Sequence, residues 1–101
     1  MHVIRLRGFW ITTAISGRYR HARRFGAPRT LDPHEQVWLV GEPLRDSETV
    51  ELNDTLLGSG PSFAFDVTAA LRPRNEVAIL TESPTPPEEV RLEIRGNADA
   101  T

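Results

Sequence analysis

The chain contains no cysteine and no lysine. Without cysteine there is no disulfide framework, no thiolate nucleophile and no cysteine-based zinc site. No apolar run approaches the ~20 residues of a membrane-spanning helix. The N-terminus enters a strand pattern at His2-Val3-Ile4 without a signal-peptide core, so a cytoplasmic location with no membrane contact is expected. Acids are missing from one region only. Met1 to Leu31 holds seven of the twelve arginines and no Asp or Glu, and the remainder holds five arginines and all fourteen acids. A basic arm beside an acidic body can mark a nucleic-acid surface. At a net charge of −2, however, the chain as a whole has little long-range attraction to phosphate. Basic and acidic strands that lie side by side also neutralise one another. No nucleic-acid partner is expected.

The chemistry of catalysis is thinly represented. His2, His21 and His34 lack metal-ligand spacing, so no metal site is expected, and His21 reads as a surface or rim residue. Gly58-Ser59-Gly60 is not followed by the residues of a nucleophile elbow or of a phosphate loop. No cofactor motif is present.

What remains is a small β-protein. The 101 residues, 39% apolar with eight prolines, suit one domain able to bury roughly 65% of its unfolded surface. The most informative stretch runs from Val50 to Ile79. Val50 and Leu52 alternate with Glu51, the period of a half-buried strand. Asn53-Asp54 tolerates positive φ and can close a two-residue hairpin into Thr55-Leu56-Leu57-Gly58. Gly58 to Pro61 breaks regular structure. Phe63 and Phe65 then alternate with polar or small residues. Asp66 can accept hydrogen bonds from free amides to cap a single turn. Val67 and Leu71 share one side of that turn, and Pro73 ends it. Arg74 to Leu80 resumes alternation, with Val77 and Ile79 facing inward.

The flanks read the same way. His2 to Arg7 alternates, with Ile4 and Leu6 on one face, and Gly8 breaks it. Phe9 to Ile15 is aromatic and β-branched and reads as strand, followed by a Ser16-Gly17 turn. Arg18 to Phe25 puts Tyr19, His21, Arg23 and Phe25 on one side, of which Tyr19 and Phe25 are expected to bury. Val37 to Val40 is an unbroken apolar run, the mark of a strand covered on both faces. Pro43 to Ser47 is a polar loop, and Thr81 to Pro87 is an irregular connection. Val90, Leu92 and Ile94 define a last strand, and residues 97–101 are expected to fray. The predicted core is Leu52, Phe65, Val67, Leu71, Val77, Ile79, Leu92 and Ile94, with Phe9, Phe25 and Phe63 also mostly buried.

Taken together, Val50, Leu52, Asn53, Leu57, Gly58, Phe63, Phe65, Asp66, Val67, Thr68, Leu71, Asn75, Val77 and Ile79 form a pattern. It resembles the sugar-binding domain at the N-terminal side of glycoside hydrolase family 2 enzymes. Arg5 to Trp10 is similar to that family's strand opening, and the strand from Tyr19 to Phe25 leads to Pro28 in a similar way. The likeness runs roughly from Ile4 to Ile94. The one departure is Asp54, where the family usually has glycine. The resemblance implies an all-β chain folded as a galactose-binding-domain-like jelly-roll β-sandwich, one domain over residues 1–96.

It also implies a non-catalytic module. In the resembled enzymes the catalytic carboxylates belong to a separate barrel domain, which this chain is too short to contain. Most of its own acids, such as Glu51, Glu93 and the Glu88-Glu89 pair, fall at solvent-facing strand positions or in loops. The candidate ligand-binding residues are the aromatics Trp10, Tyr19 and Trp38, since a sugar site needs aromatic faces beside polar groups. A carbohydrate is the expected ligand, with weak or undetectable binding of simple sugars and no glycoside hydrolysis. The alternative is a structural or protein-interaction module. Apolar residues occupy both phases of Gln36 to Val40 and of Phe9 to Ile11, and a homodimer is the expected way to cover them.

Overall fold

The computed structural model describes residues 2–28, 31–41, 49–60 and 62–96. Nine strands alternate along it: β1 His2–Arg5, β2 Ile11–Ile15, β3 Arg18–Gly26, β4 Glu35–Gly41, β5 Thr49–Leu52, β6 Thr55–Gly58, β7 Phe63–Asp66, β8 Arg74–Thr81 and β9 Val90–Gly96. They form two antiparallel sheets, one of four strands in the order β1-β9-β4-β7 and one of five in the order β2-β3-β8-β5-β6. This is the expected two-sheet β-sandwich. The first and last strands are neighbours, with His2 opposite Ile94 and Ile4 opposite Leu92. The only helical segment among the described residues is one turn of 3-10 helix, Thr68–Ala70.

Alternation decides the core. Val37 and Leu39 of β4 and Val90, Leu92 and Ile94 of β9 turn inward from one sheet. They meet Val50 and Leu52 of β5 and Val77 and Ile79 of β8 from the other. Leu6, Phe63 and Val67 complete this cluster. Six of the eight predicted core residues are buried. Phe65 and Leu71 are only partly buried and pack against its margin. The unbroken apolar run of β4 occupies a central position between β9 and β7, as expected. Its second phase is already largely covered. Val40 is buried, and the Trp38 ring lies under the Arg95 guanidinium, 4.6 Å from its centroid.

Both predicted hairpin turns form, with positive φ at Ser16 and Gly17 and at Asn53 and Asp54. Asp66 accepts from the Thr68 amide at 3.0 Å and from its hydroxyl at 2.7 Å, which starts the single turn of helix. Basic and acidic strands do neighbour one another. Arg20 and Arg24 of β3 reach Glu76 of β8 at 3.1 and 3.7 Å.

Four expectations need correction. Phe9 and Trp10 are not strand, because β1 and β2 belong to different sheets and the chain must cross between them in a few residues. Gly8 and Phe9 make that bend with φ of +69° and +60°. Phe9 is accordingly not core but 87% exposed. His21 is not a rim residue but fully buried. Glu93 is not a solvent-facing acid: it is 5% exposed, clamped by Arg91 Nε at 2.7 Å and Arg95 Nη2 at 2.6 Å. The Pro43 to Ser47 loop and the frayed tail from Asn97 lie outside the described residues.

Candidate functional site

The Leu6 to Trp10 crossover and the segment Thr85 to Glu89 form the two walls of a cleft of about 550 Å³. Arg7, Phe9 and Trp10 line one side, and Pro86, Pro87, Glu88 and Glu89 line the other. The walls are held by different means. Leu6 continues beyond β1 by donating its amide to the Val90 carbonyl at 2.9 Å. Trp10 packs its ring partly against the core and donates Nε1–H to the Leu6 carbonyl at 2.9 Å. Its indole is therefore fixed in place, as buried tryptophan N–H groups require a partner.

Phe9 is held from behind. Arg23 of β3 donates Nε–H to the Gly8 carbonyl at 2.9 Å. Its guanidinium lies 5.8 Å from the Phe9 ring centroid, within the range of a cation–π contact. A bulky residue in the left-handed region is strained, and such strain clusters at ligand sites. Here it points an aromatic ring into solvent at the cleft mouth. Arg7 and Glu89 face each other across the cleft at 4.0 Å, a distance of weak, water-screened attraction.

The second wall hangs from a buried histidine. His21 Nε2 lies 2.9 Å from Thr81 Oγ1 and 3.0 Å from the Ser83 carbonyl oxygen. Thr81 also donates its hydroxyl to that carbonyl at 2.9 Å. A carbonyl only accepts, so the network assigns the hydrogen to Nε2 and leaves Nδ1 to accept from the Thr12 hydroxyl at 2.8 Å. Ser83 Oγ then accepts from the Thr85 amide at 3.2 Å. Burial lowers the pKa of His21 despite the opposing pull of the Ser83 carbonyl, so the imidazole is held neutral.

The three sequence-predicted aromatics are not brought together. Trp10 lines the cleft. Tyr19 sits on β3 opposite Thr81 in the five-stranded sheet. Trp38 lies on the outer face of the four-stranded sheet beneath Arg95. The residues missed were Phe9, the Thr85 to Glu89 wall and His21. A signal for His21 was present, since it shares its phase with Tyr19 and Phe25, both expected to bury. Among the described residues no three His, Asp or Glu side chains gather as a metal ion would need.

Burial alone raises the pKa of Glu93, but hydrogen bonds from Arg95 and Arg91, with their charges, outweigh it and hold the carboxyl below the usual glutamate value. A general acid needs the opposite shift.

No protein-family profile matches the sequence. No curated protein is similar to it at a significant level. Solved structures do match. The FMN-binding beta-glucuronidase of Facaelibacterium prausnitzii L2-6 superposes with a TM-score of 0.75 at 18% identity, over 95% of this chain and 23% of its own. A Bifidobacterium dentium beta-glucuronidase, solved with coumarin-3-O-glucuronide, gives 0.57 at 28% identity over 64% of this chain and 11% of its own. A beta-glycosidase of Bacteroides vulgatus gives 0.56 at 21% identity over 80% and 12%. The chain thus spans less than a quarter of the length of each of these three. The β-sandwich it folds into is one that glycosidases carry as a part of a larger chain.

Proposed function

We propose that this chain is a non-catalytic β-sandwich module related to the sugar-binding domain of glycoside hydrolase family 2, and that the Phe9–Trp10 cleft takes a carbohydrate. The observation that carries this reading is Phe9: an aromatic ring 87% exposed, held on left-handed backbone and backed by Arg23. A sugar presents C–H groups on one face and hydroxyls around its rim. An aromatic ring serves the face, and nearby charged side chains serve the rim. Glu88, Glu89 and Arg7 supply such groups on the cleft walls. With one bare ring and an open mouth, the cleft suits weak binding of an oligosaccharide better than of a simple sugar.

Hydrolysis is a different demand. A glycosidase flanks the bond with two carboxylates, about 5–10 Å apart, one of them an acid kept protonated by its surroundings. Glu88 and Glu89 are both exposed and Glu93 is locked as an anion between arginines. A glycan array followed by NMR titration of the best ligand tests the proposal. Oligosaccharide binding that perturbs residues 7–10 and 85–89, weakens in Phe9→Ala and comes with no turnover of chromogenic glycosides is expected. An array blank for the wild type, or binding indifferent to Phe9, overturns it. A contact function is favoured separately by Ile11, 70% exposed on an edge strand.

A further inference from the structure

Four strands end the two sheets: β1 and β7 in one, β2 and β6 in the other. A sheet edge presents unpaired N–H and C=O groups, and native edges are blunted by charge, brevity, proline, glycine or a bulge. Three of these edges are blunted. β1 carries His2 and Arg5. β7 is four residues long and ends on Asp66. β6 is also four residues long, runs into Gly58 and faces a register shift at Val50/Glu51 in its neighbour.

β2 has none of these devices. Ile11-Thr12-Thr13-Ala14-Ile15 contains no charge, glycine or proline, and all five residues are exposed. Among the described residues its backbone bonds only to β3.

We propose that β2 pairs antiparallel with β2 of a second copy of this chain, about a two-fold axis at Thr13, joining the two five-stranded sheets into one. The strand is its own complement in that register. Ile11 falls opposite Ile15 of the second copy, Thr13 opposite Thr13, and Thr12 opposite Ala14. Apolar and hydroxyl cross-strand pairs of this kind are favourable. Ile11, Thr13 and Ile15 share one face, since they oppose Ala22, Arg20 and Arg18 on β3. The charge nearest the axis on that face is Arg20, which is already bonded to Glu76 at 3.1 Å, so approaching copies do not meet a bare cation there. A two-fold contact needs only one self-complementary surface. Of the two apolar stretches that a homodimer is expected to cover, Phe9 to Ile11 runs into this edge at Ile11, and Gln36 to Val40 is the poorer candidate because Val40 is buried and Arg95 already covers Trp38.

The absence of cysteine makes the test direct. In the Thr13→Cys variant the only thiol lies on the proposed axis. A short thiol–thiol cross-linker should yield a covalent dimer from it, and none from Thr55→Cys on the opposite edge or Gln36→Cys on the other sheet. Sedimentation should show a wild-type dimer in the micromolar range. Thr13→Lys should give a monomer with an unchanged circular dichroism spectrum, because two like charges would meet at the axis. A wild type that stays monomeric at every concentration overturns the proposal and leaves the edge to a strand of a different protein. A dimer that cross-links through the Thr55 or Gln36 variant and not through Thr13 also overturns it, by moving the contact to another face.

Discussion

Asn53 donates its side-chain amide to Asn75 Oδ1 at 3.0 Å, tying the tip of the β5–β6 hairpin to the corner that opens β8. The tie is doubly anchored. Asn53 Oδ1 accepts from the Glu76 amide at 2.9 Å. Asn75 grips its own loop, accepting from the Arg72 amide at 2.9 Å and donating to the Arg72 carbonyl at 2.7 Å. Asn75 is buried, so removing its amide strands polar groups away from water. Asn75→Ala is expected to cost about 2–3 kcal/mol, the scale of leaving buried partners unsatisfied. Denaturant unfolding should show this as a lower midpoint with an unchanged slope. A midpoint at the wild-type value would mean that water replaces the amide.

The neighbouring residue should behave in the opposite way. Asp54 is exposed at φ +67°, and glycine holds that conformation without strain. Asp54→Gly is therefore expected to be neutral or stabilising in thermal unfolding. Asn53→Gly, at φ +51°, keeps the turn but loses the bonds to Asn75 and Glu76, and should destabilise. A clear loss in Asp54→Gly would reveal a side-chain bond in solution and sink this account.

These two positions also mark what the sequence could convey. Hairpin turns and strand alternation are local, so the Asn53-Asp54 turn and the inward phases of β8 and β9 were readable from neighbouring residues. The errors arose where a distant element decides the environment. Glu93 occupies an outward phase of β9 and reads as wet, yet Val3 of β1 and Trp38 of β4 lie beside it, and Arg91 and Arg95 fold over it from its own strand. Phe9 sits in an aromatic, β-branched run that reads as strand. Only the assignment of β1 and β2 to different sheets makes it a left-handed bend. The cleft could not be read at all, because its second wall comes from Thr85 to Glu89 and nothing local pairs that segment with Arg7.

Gly58 offers a test of packing. A Cβ built there would sit 2.6 Å from Phe65 Cζ and 2.9 Å from Cε1. The Phe65 ring cannot simply swing away, since it stacks on Phe63 with centroids 5.5 Å apart and planes at 19°. Gly58→Ala should cost about 1–3 kcal/mol by overpacking. Phe65→Leu should recover part of that loss, giving a non-zero coupling in a double-mutant cycle. Strict additivity of the two changes would show that they do not touch. Phe65→Ala alone should cost about 2–3 kcal/mol, short of the about 3–5 kcal/mol of a fully buried ring, because Phe65 is only half-buried.

The pH dependence of stability should report on His21. An unfolded histidine titrates near 6.5. In the folded chain burial lowers that value, and the hydrogen-bond partners of the ring are Thr12, Thr81 and the Ser83 carbonyl, none of them an anion. Arg23, on the same side of β3, turns its guanidinium to Gly8 and Phe9. Between the lowered folded pKa and about 6.5 the unfolded chain binds a proton that the native chain refuses. The stability contributed by neutral His21 is then complete above about pH 6.5 and is lost as pH falls below it, with a slope of up to about 1.4 kcal/mol per pH unit. Glu93 is also lowered, but its contribution is present above the usual glutamate value and is lost only at lower pH. Measurements between about pH 5 and 8 therefore isolate the histidine. Denaturant midpoints should fall with acid in the wild type and stay flatter in His21→Gln. The two chains differ only at position 21, so the difference between their profiles reports on that residue. Parallel profiles for the two proteins would show that His21 ionises in place without cost. The network from Thr12 to the Ser83 carbonyl would then not be what secures the wall of the cleft.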